Sequence, residues 1–150
     1  MKLLQIDPRM PLVIQKWGCN FRSLLAMIEV EAGLEFSDAD LMKIWMDAFY
    51  FTAVDEESVV QDPDRVLDLG LELKNLRSKY NMYQIGADGS YWQWVHLKRV
   101  DYTVLKGRTV NGNEHFRLGD REGSQIFDPN PRAKITKELS IIYYQCLRTV

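Results

Sequence analysis

The stretch VDYTVLKGRTVNGNEHFRL, residues 100 to 118, decides the fold class. Asn111-Gly112-Asn113 is a turn signal, because Asn and Gly tolerate the positive φ that tight turns require. It stands between two runs rich in aromatic and β-branched residues, and that combination marks a β-hairpin. Upstream, MYQIGADGSYWQWVHL (residues 82–97) has the same form around Ala87-Asp88-Gly89-Ser90. Downstream, SQIFDP (124–129) and ELSIIYYQCL (138–147) read as two further short strands.

Before about residue 80 the period is helical. Phe21, Leu24, Leu25, Ile28 and Ala32 recur at helical spacing over residues 19–32, and Gly33 follows as a C-cap. Ser37-Asp38-Ala39-Asp40 announces a second helix, with a capping Ser followed three residues on by an acid. Leu41, Ile44, Trp45 and Ala48 form its buried stripe, and it runs to about Thr52. Pro63 suits the first turn of a third helix carrying Val66, Leu67, Leu69, Leu71 and Leu73. Gly70 inside it costs about 1 kcal/mol of helix propensity against Ala. Helices followed by an antiparallel sheet define an α+β domain, helical over about 15–80 and β over about 81–150. With no repeat, linker or low-complexity segment, the two halves are expected to share one core as a single domain spanning 1–150.

Composition excludes several classes. The chain has 150 residues, 46% hydrophobic and 27% charged, with aromatics throughout, which is globular rather than disordered or fibrous. A formal charge of −2 gives no reason to bind nucleic acid or an anionic membrane. The N-terminal apolar runs are broken by Asp7, Pro8, Arg9 and Pro11, and no run approaches the roughly 18 residues of a membrane span. Cys19 and Cys146 lie at opposite ends of the chain without metal-ligand spacing. The expectation is therefore a cytoplasmic protein with free thiols and no metal or cofactor.

Three positions carry candidate chemistry. Cys19 follows Gly18 at a helix start, where the positive end of the helix dipole favours the thiolate. His115 heads a strand after the Asn-Gly-Asn turn, and Asp128 ends a short apolar strand thirteen residues later, halted by Pro129. Taken singly, these read as a structural cysteine, an exposed strand histidine and a turn-forming aspartate. Taken together, they are the set a cysteine hydrolase needs: a nucleophile, a base that ionises it, and a carboxylate that fixes the base's tautomer. An oxyanion also needs donors, and Gln15, four residues ahead of Cys19, is the candidate alongside the Cys19 N–H. Trp17 and Asn20 flank the cysteine and are candidate substrate contacts. So are Trp92 and Trp94, which share one sheet face with His96 and otherwise read as core aromatics.

Gly18-Cys19-Asn20-Phe21-Arg22-Ser23-Leu24-Leu25-Ala26-Met27, then His115-Phe116 beside a Gly-containing turn, then Phe127-Asp128-Pro129, resembles the papain-like cysteine peptidases. The resemblance is to the branch that processes bacteriocin leaders. It implies a papain-like fold, a Cys19–His115–Asp128 triad and a peptide or protein substrate. The same order occurs in transglutaminases and arylamine acyltransferases, so acyl transfer stays open beside hydrolysis. A papain-like domain without catalysis, serving binding or assembly in a phage or mobile-element setting, is the alternative function. An unrelated α+β interaction domain in which the constellation is accidental is the third.

Overall fold

A computed structural model describes residues 2–88 and 99–149. Helix α1 (Leu12–Trp17) leads through Gly18 directly into α2 (Cys19–Ala32), followed by α3 (Asp38–Tyr50) and α4 (Pro63–Leu73). Strands β1 (Tyr80–Ala87), β2 (Tyr102–Thr109), β3 (Glu114–Asp120), β4 (Gln125–Phe127) and β5 (Ile135–Arg148) complete the chain. All pairings are antiparallel, in the order β1-β5-β2-β3-β4. The architecture is α+β, with helices packed on a sheet.

Helix α2 is buried without a break from Phe21 to Glu29. The stripe of Phe21, Leu24, Leu25 and Ile28 is only one of its faces. Helix α4 covers one side and β3 the other, so Ala26 and Met27 are buried as well. The α2–α4 contact explains Gly70. A Cβ there would lie 2.7 Å from Ile28 Cδ1 and 2.8 Å from Leu25 Cδ2, so the helix accepts the propensity loss to approach closely. Gly33 caps α2 at φ 66°, ψ 38°, donating its N–H to the Glu29 carbonyl. Ser37 and Asp40 form a complete reciprocal capping box, Asp serving where Glu is commoner. Trp45 lies at the margin of the α3 stripe, stacked on Phe49 with its indole N–H donating to Ser58 Oγ.

The sheet differs from the expectation at one point. Strand β5 spans 14 residues and is not short. It is interior: β1 pairs with Ile142–Arg148 and β2 with Ile135–Tyr144, and the offset between these neighbours requires a long strand. The hairpin expected after Ala87 falls largely on residues 89–98, outside the described residues, and so do Trp92, Trp94 and His96. Within the described residues β1 pairs with β5. The β2–β3 hairpin forms as expected, with Gly112 at φ 82° and the Thr109 N–H donating to the Asn113 carbonyl. Among the described residues no helix is long and apolar enough to cross a membrane.

Candidate functional site

The start of α2 is set by Gly18. Its φ of −84° suits any residue, but a Cβ would sit within 2.9 Å of the Ile14 Cα, carbonyl oxygen and Cγ2. Glycine therefore lets two helices meet almost end to end, with Cys19 as the first residue of the second. One turn on, Ser23 Oγ donates to the Phe116 carbonyl at 3.3 Å, tying α2 to β3 next to His115.

His115 and Asp128 meet as the sequence proposed. The Nε2 of His115 lies 2.7 Å from Asp128 Oδ1, and the histidine is 3% exposed, not the open strand residue that alternation alone suggests. Asp128 Oδ1 also accepts from the Asn130 backbone N–H at 2.9 Å, so the carboxylate is held from two sides. Cys19 neighbours the same imidazole ring. With Nε2 taken by Asp128, Nδ1 is the nitrogen left for the thiol. Burial by itself lowers the pKa of His115, but hydrogen bonds to Asp128 and Cys19, with the charges of both, outweigh it. The result is a pKa raised to about 9.

The two cysteines have opposite settings. Both are free thiols. Cys146 lies fully inside the core, and burial, followed by the charge of Glu31, pushes its thiol up to about 11. Cys19 is 8% exposed and opens into a cleft of about 660 Å³. Trp17, Asn20 and the 57–60 loop line the helical side of that cleft, and the 109–116 hairpin and residues 130–134 line the other.

Gln15 is not where the sequence reading put it. Its side-chain amide donates to the Met10 carbonyl at 2.6 Å, and it does not line the cleft. Short helix α1 turns the Gln15 side chain back onto the turn that precedes it. The glutamine in the cleft is Gln5, 2% exposed. Its backbone N–H donates to the Pro129 carbonyl at 2.9 Å, and its side-chain amide donates to the Gln15 carbonyl, also at 2.9 Å. Gln15 thus contributes through its backbone, aiming Gln5. Only these two glutamines precede Cys19 in the sequence, so a choice between them was available. The signal favouring Gln5 is tertiary and cannot be read from spacing.

Trp17 and Asn20 both line the cleft; Trp17 is 47% exposed, and Asn20 Oδ1 is buried without a hydrogen-bond partner among the described residues. Among the described residues no group of three or more His, Cys, Asp or Glu side chains is placed to hold a metal ion. Comparison with protein-family models, curated proteins and solved structures returns no match.

Proposed function

We propose that this chain is a thiol hydrolase of papain-like type that cleaves a peptide or related amide bond. The observation that carries the reading is the buried His115 ring, bonded through Nε2 to Asp128 and neighboured by Cys19 at the cleft floor. A raised histidine pKa keeps the ring protonated near neutral pH, ready to give a proton to a departing amine.

In this reading the Cys19 thiolate attacks the substrate carbonyl carbon, and the carbonyl π electrons move onto oxygen. The oxyanion lies between the Cys19 N–H and the Gln5 side-chain amide. Cys19 opens α2, whose first N–H groups have no partner within the helix, and one Gln5 amide proton remains beyond the bond to Gln15. As the C–N bond breaks, imidazolium His115 gives its proton to the departing amine. Water, deprotonated by the now neutral ring, then hydrolyses the thioester and releases Cys19. Asp128 holds the ring in the tautomer both steps need.

The test is alkylation by iodoacetamide at pH 6, read by mass spectrometry of the labelled peptides. Cys19 in the folded protein is expected to react faster than free cysteine, with the excess lost in His115→Ala and Cys146 unlabelled. Hydrolysis of an amide library is expected to vanish in Cys19→Ser. A Cys19 that reacts no faster than free cysteine overturns the reading in favour of a binding module without catalysis.

A further inference from the structure

We infer that Arg22 is a positioning residue for the Cys19–His115–Asp128 cluster, tying the segment that carries Gln5 and the strand end that carries Asp128 to the helix that carries Cys19. Arg22 lies one turn beyond Cys19 on α2 and is fully buried. Its Nε donates to the Leu3 carbonyl at 2.6 Å, two residues before Gln5. Its guanidinium lies over the ring of Phe127, 5.2 Å from the centroid, and Phe127 immediately precedes Asp128. Its Nη2 lies 2.7 Å from Glu29 Oε1, an ion pair without hydrogen-bond alignment, while Glu29 Oε2 accepts the Phe36 N–H at 2.9 Å.

Stability alone does not account for this arrangement. Burial opposes the charge on Arg22 and lowers its pKa against the pull of Glu29, and Nη1 has no hydrogen-bond partner among the described residues. A buried ion pair of this kind can often be replaced by apolar residues without loss of stability. What an apolar side chain would not supply is a fixed direction to the Leu3 carbonyl, and with it a fixed height of the Gln5 segment against Pro129. The Gln5 N–H to Pro129 bond closes the loop, so Arg22 links helix α2 to the two segments that carry Gln5 and Asp128.

The inference takes its functional meaning from the thiol hydrolase reading, but its test reads the histidine directly. Arg22→Met combined with Glu29→Gln removes both buried charges, and Arg22→Lys retains the charge and a donor. Each is followed by thermal unfolding and by NMR titration of the His115 ring, which faces Asp128 and Cys19. In the double variant we expect cooperative unfolding to persist while the His115 midpoint falls by about one pH unit or more from that of the unaltered protein. Any amide hydrolysis should fall toward a hundredfold for a shift of about 1 Å at the site. Arg22→Lys should restore part of both. A folded variant with an unchanged His115 midpoint overturns the inference and leaves Arg22 a structural residue, whatever its melting temperature. If the double variant does not fold, Arg22→Gln combined with Glu29→Gln, which lacks the guanidinium that reaches the Leu3 carbonyl, decides: a lowered midpoint supports positioning, and an unchanged one overturns it. Slow alkylation of Cys19 in the unaltered protein would overturn the hydrolase reading without moving this titration.

Discussion

A histidine between a carboxylate and a thiol is an electrostatic balance, and in His115 the partners outweigh the burial. The folded-state pKa of about 9 exceeds the ordinary 6.5, so folding favours the protonated ring. That contribution to stability is complete below about pH 6.5 and is lost as pH rises through about 9. Asp128→Asn keeps the shape and an acceptor for the Asn130 N–H but removes the charge. We expect the His115 midpoint to fall toward 6.5, the alkaline limb of any hydrolysis profile to move down with it, and the stability gap between the two proteins to narrow above pH 9. NMR titration and denaturation at several pH values check all three. The two glutamines separate in the same way. Gln5→Ala removes the proposed oxyanion donor and should cost roughly a hundredfold or more in kcat. Gln15→Ala leaves the carbonyl that holds Gln5 intact, so kcat should change little while stability falls by about 1 kcal/mol with the lost bond to Met10. Equal losses of kcat in both variants would contradict the assignment of the donor. Cys19, His115 and Asp128 were legible in the sequence as candidates because each has a chemistry few other side chains share. Gln5 was not, since its place depends on the Gln15 and Pro129 carbonyls, both brought to it by folding.

At the scale of elements, caps proved the clearest signals. Gly33, the Ser37–Asp40 box and Pro63 mark their helix ends in the sequence and do so in the structure, where Asp62 adds a side-chain cap to the start of α4. Helix α1 escaped such reading because six residues give too few turns for a period, and Ile14 is its one buried side chain. The full length of β5 escaped it because strand length is set by the neighbours, and the offset between β1 and β2 is not a local property. The join between α1 and α2 is the element-scale feature closest to the chemistry. Gly18→Ala places a methyl group against the Ile14 backbone, which cannot step aside as a flexible side-chain end would. We expect a loss of about 1–3 kcal/mol in urea denaturation, together with slower alkylation of Cys19, because α2 must move at its first residue. Gly70→Ala is the control. Its new methyl group meets the ends of the Ile28 and Leu25 side chains, and the gain in helix propensity offsets part of the strain. It should alter stability less and leave Cys19 reactivity unchanged.

At the scale of the whole molecule, the charge of the cleft runs against that of the chain. The protein carries −2 overall, yet Lys16, Arg132 and Lys134 line the cleft without ion-pair partners among the described residues. Of the two acids there, Glu114 is paired with Lys106, and Glu57 alone is free of an ion pair. A concave site with an excess of one sign of charge concentrates ligands of the other sign. Peptides bearing Asp or Glu near the scissile bond should therefore bind better than neutral ones. At roughly 0.5 kcal/mol for each exposed charge, three cations give about a tenfold difference in KM. Replacing all three by Gln should raise KM for acidic peptides by that factor and leave kcat and neutral peptides little changed, because none of the three touches His115 or Asp128. The preference should also fade as salt rises, since the screening length shrinks from about 10 Å at 0.1 M to about 3 Å at 1 M. A preference that survives 1 M salt would instead place substrate selection in the apolar wall formed by Trp17, Val59 and Val110, all of them exposed in the same cleft.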